Sequence, residues 1–317
     1  MSLNADKPNL WKADIAKSVD FYNAWFLRFA PSAYRETRKK TTVQVEAALS
    51  ATKDLADIST KVLRESPKVL QMLRMATAPP IARDRLIGLA SVSGNLVSSM
   101  EDHGLIPPRM AKEKIERELK AIGKMITRLA DRDIFCWLES GKNPTGEERY
   151  RAATIVADRL CGAIANPIIR NAQERRQLTV IKKWLEKRGY NHVTGQKKAQ
   201  DMAAGTFCFR LNLPITMNSN KQINIPVDVV IKPLSAKPGD LPLLVEAKSA
   251  GDFTNTNKRR KEEAAKIIQL RHSYGAEVKY LLFLCGYFDS GYLGYEAAEG
   301  LDWIWEHRMD DFAQLGL

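Results

Sequence analysis

The chain is poor in the residues that build thiolate metal centres and disulfide frameworks. Its 317 residues include four cysteines, Cys136, Cys161, Cys208 and Cys285, and four histidines. The cysteines lie far apart, with no C-x-x-C and no Cys/His pairing, so neither a zinc site nor a disulfide scaffold is expected. A reducing cytoplasm suits this usage. An unbroken apolar run of about 18 residues, the length needed to cross a bilayer, is also lacking. The start, Met1-Ser2-Leu3-Asn4-Ala5-Asp6-Lys7-Pro8, has no basic-then-apolar leader. Neither export nor a membrane partner is expected, and the cytoplasm is the expected location.

Positive charge is plentiful. The 49 Lys and Arg against 37 Asp and Glu give a formal net charge of +12, and such an excess attracts polyanions through counterion release. Nucleic acid is the first partner that this suggests. An apolar content of 44% allows ordinary globular burial.

From Asn9 to about Arg170 the pattern is helical. Between Ala111 and Ser140, Ile115, Leu119, Ile122, Ile126, Leu129 and Ile134 recur on one face. Prolines at 31, 67, 79–80, 107–108 and 144 are expected to cut this half into about six helices. Around Asn166 helix and strand begin to alternate: a helix over Ile168–Arg188, a strand over Thr206–Thr216, strands over Pro226–Lys232 and Leu243–Lys248, a helix from about Lys258 to Ser273, and a strand over Val278–Leu284. The aromatic tail, with Trp303, Trp305 and Phe312, reads as a helix covering the sheet. The expected architecture is α+β: a mixed central sheet flanked by helices in residues 166–317, with a large all-helical half in residues 1–165.

The chemistry concentrates in two of these strands. Period-two geometry puts Glu246 and Lys248 on one face of the second, within reach of Asp228 on the first. Buried ionised groups are uncommon unless paired, and their desolvation often cancels the Coulombic gain, so buried ion pairs alone explain the trio poorly. Two carboxylates and the Ala247 carbonyl suit Mg²⁺, a hard cation that binds oxygen and keeps several waters. Lys248 beside them could orient a water; its ordinary pKa of about 10.4 makes it a weak base near neutrality. This is a constellation for cutting phosphodiesters.

Other residues are candidates by context. Glu174 lies in the first turn of the helix before the strands, where a carboxylate also suits the helix dipole. Arg83, Arg85 and Asn95 flank a Gly- and Ser-rich stretch, and such side chains can read guanine and adenine, although a tightly packed helix pair is the plainer account of the small residues and arginine more often serves phosphate or solvent than a base edge. Asn255, Asn257, Lys258, Arg259, Arg260 and Lys261 open the helix after Lys248. Consecutive cations there oppose the helix dipole, which makes sense if phosphates sit there.

Pro226 and Asp228, seventeen intervening residues and then Glu246-Ala247-Lys248 resemble the PD-(D/E)xK nuclease superfamily, with Val227 inserted between Pro and Asp. The helical half beginning Lys7-Pro8-Asn9-Leu10-Trp11-Lys12 and the block from Glu246 to Lys266 are similar to the XamI-type type II restriction endonucleases. The resemblance implies a restriction-endonuclease-like core. It also implies Mg²⁺-dependent double-strand cleavage at a short palindromic DNA sequence by a homodimer, with the helical half serving recognition and dimerisation. A repair nuclease or junction resolvase of the same fold would show the same pocket, and a non-catalytic nucleic-acid-binding protein is the reading from outside enzymology.

Overall fold

A computed structural model describes residues 2–196, 198–216, 222–253 and 256–317, with the backbone alone given for residues 216 and 256–261. The chain forms two compact units, residues 30–169 and residues 1–29 with 170–317. The first 29 residues, expected in the helical half, thus belong with the sheet, where Trp11 packs on Trp303 at 5.5 Å between ring centroids. Leu3 is buried among the core residues of the sheet, with Phe283 and Ile304.

The helical unit contains the second part of α1 (Pro8–Ala51), then α2 (Thr60–Glu65), α3 (Val69–Met75), α4 (Arg83–Ala90) and α5 (Gly94–Ser98). After a π-helical turn at Ser99–His103 come α6 (Lys112–Leu129), α7 (Trp137–Ser140) and the first part of α8 (Gly146–Glu186). Neither Pro31 nor Pro167 ends its helix: α1 and α8 run on through them. A proline removes one ladder hydrogen bond, and a long helix with many others can absorb that loss. The stripe read on α6 is correct from Ile115 to Ile126, whereas Ile134 lies beyond the helix end. α8 contains an 18-residue stretch apolar and long enough by composition to cross a membrane. Its Ala152, Val156 and Leu160 nevertheless pack in the core of this unit.

The second unit is built on one mixed sheet of six strands in sequence order: β1 (Asn191–His192), β2 (Thr206–Thr216), β3 (Gln222–Lys232), β4 (Leu243–Ala250), β5 (Tyr280–Gly286) and β6 (Asp302–Trp305). β2, β3 and β4 pair antiparallel, while β4, β5 and β6 are parallel. The parallel steps need crossovers, supplied by α9 (Thr256–Tyr274) and α10 (Ser290–Ala298). Leu178, Ile181 and Leu185 of α8 cover one sheet face together with Val229, Val245 and Phe283. Ile267 and Leu270 of α9 and Leu293 of α10 cover the other, over Leu244, Leu282 and Leu284. β5, covered on both sides, is buried along its whole length, as its unbroken apolar run requires. Trp303 and Trp305 lie on β6 rather than in a helix; only Phe312 falls in the helical tail, a 3₁₀ segment over Glu306–Leu315. Aromatic residues suit a strand covered on both faces, and β-pairing with β5 decides the outcome here.

Candidate active site

The β2–β3 hairpin changes faces at one point. Phe207, Phe209, Val229 and Ile231 face α8, whereas Leu211, Leu213, Val227 and Ile225 face α9. In a regular strand residues of one parity share a face, so the backbone must twist between them. It does so at Arg210, whose φ is +55°, a left-handed conformation that costs a non-glycine residue energy. Arg210 and Asp228 are the pair missing from an otherwise continuous register between Phe209↔Val229 and Leu211↔Val227.

On its other edge β3 pairs with β4 only from Val229↔Val245 to Ile231↔Leu243. β4 continues along β5 to Ala250, so the ladder between β3 and β4 opens just where Asp228 and Glu246 stand. Asp228 spans the opening: its Oδ2 accepts the Ala247 backbone N–H at 2.9 Å, and Oδ1 has no partner among the described residues. Burial, and then the nearby Glu246 carboxylate, push its pKa up to about 6.

Glu246 and Lys248 point from β4 toward α9, as period-two geometry predicts. They form a chain of alternating charge with two α9 residues. Lys266 Nζ lies 2.6 Å from Glu246 Oε2, and Lys248 Nζ lies 3.1 Å from Glu246 Oε1 and 2.6 Å from Glu263 Oε1. Tyr280 Oη donates to Glu263 Oε2 at 2.9 Å. Burial alone would lower the Lys248 pKa, but Glu263 and Glu246 outweigh it and hold the pKa above the ordinary lysine value. Lys248 is therefore a permanent cation here, which favours charge stabilisation and orientation over proton abstraction.

Glu263, Lys266 and Tyr280 were not singled out from sequence. On α9 the apolar Ala265 and Ile268 are exposed while Glu263 is buried. Glu263, Ile267 and Leu270 follow the i, i+4, i+7 rule, and that register was the available signal. Glu296 of α10 was also missed. It is 0% exposed, with Tyr292 as a hydrogen-bond partner of its carboxylate. Burial first, then the Glu263 carboxylate, push its pKa up to about 8.

Glu174 is placed differently from the trio. Its Oε1 accepts from Arg210 at 2.6 Å in a largely exposed pair, and no described contact joins it to Asp228, Glu246 or Lys248. From the same helix it is Gln177 that reaches β4, donating to the Lys248 carbonyl at 3.2 Å and the Phe283 carbonyl at 3.4 Å. In the helical unit Arg83 is occupied by carboxylates, bonding Glu101 at 3.0 Å and Asp102 at 2.6 Å, with Arg74 on the other side of Glu101. Arg85 and Asn95 are exposed. Asn255 lies outside the described residues, as do the side chains of Asn257, Lys258, Arg259, Arg260 and Lys261.

The donor set can be tested for a metal ion from its own chemistry. Asp228 and Glu246 offer hard oxygens, one of them unpartnered among the described residues, and burial first, then repulsion from Glu246, raises the Asp228 pKa. A divalent cation would relieve that repulsion, and oxygen donors of this kind suit Mg²⁺. The residues fit such an ion.

The model of the XamI restriction endonuclease family matches residues 53–305, a span that includes every member of the charge chain. The chain belongs to the XamI restriction endonuclease family. It is 53% identical over 316 residues to the type II restriction enzyme SalI of Streptomyces albus G, covering 99% of each chain. A member of this family is a type II restriction endonuclease, so the core around Asp228 belongs to a nuclease. The solved structure of protein VC1899 from Vibrio cholerae aligns over 80% of this chain and 55% of its own, with a TM-score of 0.30 and 11% identity.

Proposed function

We propose that this restriction endonuclease cuts both strands of DNA at a short palindromic sequence, as a homodimer in the cytoplasm, using Mg²⁺ held by Asp228, Glu246 and the Ala247 carbonyl. The observation that carries this reading is the opening of the β3–β4 ladder at Asp228 and Glu246, which sets two adjacent carboxylates beside a charged lysine. Mg²⁺ when bound supplies Lewis-acid stabilisation of the phosphate and acidifies a water. Asp228 is fixed by the Ala247 amide, so the carboxylate keeps one oxygen turned outward. Lys248 stays protonated under Glu263 and Glu246, and its ammonium orients the attacking water and offsets charge on the phosphate. Glu174 acts from the α8 side through Arg210, as an orienting group.

The basic N-terminal residues of α9, Lys258 to Lys261 with Asn255 and Asn257, contact the DNA backbone close to the cut, because they follow Lys248 within a dozen residues or so. Arg85 and Asn95, both exposed, are proposed to contact DNA from the helical unit, and Arg83 would do so only by leaving its carboxylates. A two-fold symmetric dimer matches a palindromic site. Incubation with mixed-sequence duplex and Mg²⁺, followed by sequencing of the ends, tests the proposal. Discrete fragments sharing one end sequence support it; smears or cutting at junctions alone point instead to a repair nuclease or resolvase.

A further inference from the structure

We propose that Lys266 is an internal counter-cation: it occupies Glu246 in the metal-free enzyme and is exchanged for the divalent ion when that ion binds. The proposal rests on the reading of Asp228 and Glu246 as metal ligands. Both oxygens of Glu246 are taken by ammonium groups, Lys266 at 2.6 Å and Lys248 at 3.1 Å. Each of these oxygens keeps a second lone pair, but a dication bound there at about 2.1 Å would stand within a few ångströms of both ammonium groups, and like-charge repulsion favours the departure of one.

The two lysines are not equally free to go. Lys248 has a second and shorter bond, to the buried Glu263 at 2.6 Å. Lys266 has no second carboxylate among the described residues. It also stands 6.0 Å from the Tyr280 ring, the outer limit of a cation–π contact. Lys266 is therefore the group that yields. Its position three residues after Glu263 on α9 means that a side-chain rotation releases it while Glu263 keeps Lys248 in place.

Charge balance points the same way. Asp228, Glu246 and Glu263 set three carboxylates against Lys248 and Lys266. Once Lys266 departs, two negative charges remain uncompensated, and one divalent ion neutralises them. Lys266 also favours the ionised form of Asp228, so its charge acts on both proposed ligands, as the metal's would. The exchange opposes metal binding by the cost of breaking the Lys266–Glu246 pair, and it leaves an ammonium free beside the site for a phosphate oxygen of the substrate.

Isothermal titration of Mg²⁺ and Ca²⁺ into the DNA-free protein tests this. Lys266→Gln is expected to bind the ion on the order of tenfold more tightly than the unsubstituted protein, the effect of one pairwise interaction worth about 1.4 kcal/mol. Lys266→Arg, which keeps the cation, is expected to bind as weakly as the unsubstituted protein, and Asp228→Asn to lose binding. If Asp228→Asn loses binding but Lys266→Gln gains none, the exchange is overturned while the ligand reading stands. If Asp228→Asn binds undiminished, the ligand reading itself fails. A second measurement needs no variant: acylation of Lys266, followed by mass spectrometry, should rise when Mg²⁺ is added, and an unchanged or reduced yield counts against the exchange.

Discussion

Lys248 lies closer to Glu263, at 2.6 Å, than to Glu246, at 3.1 Å. The lysine of the Glu-x-Lys strand is thus held chiefly by a carboxylate of the next helix, itself fixed by Tyr280. Were Glu246 to ligate the proposed metal, Glu263 would hold the ammonium alone. Glu263→Gln is expected to lower kcat about 10- to 100-fold, the usual effect of removing a partner that orients a site group. DNA affinity in Ca²⁺ should hardly change. Single-turnover cleavage and a binding titration separate the two, and a loss in DNA affinity alone would contradict the positioning role.

Asp228→Asn and Glu246→Gln each remove one carboxylate at the strand opening. Loss of Lewis-acid stabilisation worth several kcal/mol lowers the rate by three orders of magnitude or so. DNA binding should persist in both, because neither side chain is expected to contact the duplex backbone. Filter binding alongside cleavage of a plasmid checks both halves, and normal cutting by either variant removes that residue from the site.

Much of this site was legible in the sequence, because strands of period two fix which side chains share a face. Glu246 and Lys248 follow from that rule, and the Gly/Pro-rich segment between Lys232 and Leu243 announces the turn that brings Asp228 alongside. Tertiary features were less legible. The buried position of Glu263 depends on which α9 stripe meets the sheet, and the run Lys261-Glu262-Glu263 looks like a solvated face. The helix break expected at Pro31 and the helix start expected at Ile168 did not occur, since packing along a long helix overrides a local penalty. Nor does any local signal show that β6 joins the sheet, since its pairing with β5 is long-range.

Glu174 offers a sharper test of how far the site extends. It is bonded to Arg210 at 2.6 Å in a largely exposed pair, and exposed pairs contribute little to stability, about 0–1 kcal/mol. Acting only through Arg210, it should matter modestly: Glu174→Gln is expected to lower kcat less than about tenfold, below the 10- to 100-fold of a directly orienting partner. A fall as large as that of Asp228→Asn would place Glu174 among the residues touching the reacting groups.

The consecutive cations from Lys258 to Lys261 should act on affinity rather than on the chemical step. Withdrawing one cation from a DNA phosphate makes the slope of log K against log salt shallower by about 0.9. Lys258→Ala and Arg259→Ala are expected to weaken binding to cognate and non-cognate duplex alike, with shallower salt dependence, measured by fluorescence anisotropy at several ionic strengths. An unchanged slope would exclude phosphate binding by the substituted residue.

Glu296 makes a prediction about stability that is independent of catalysis. The carboxyl is fully buried on α10, near the charges of Glu263, Glu299 and Lys248, and its pKa is pushed up to about 8 from 4.5 by burial first and then by Glu263. Below the ordinary carboxylate range it is neutral in both the folded and the unfolded chain and contributes no pH dependence. As pH rises from there toward 8, the unfolded chain releases the proton and the folded chain retains it, so the folded state loses relative stability; above 8 the loss is complete. Glu296→Gln removes this dependence. The stability of the unsubstituted protein relative to Glu296→Gln should fall by roughly 1.4 kcal/mol per pH unit between about pH 5 and 8, measured by urea unfolding at each pH. A difference that stays constant across that range would mean that Glu296 is ionised in the fold, and that a cation near α10 balances it.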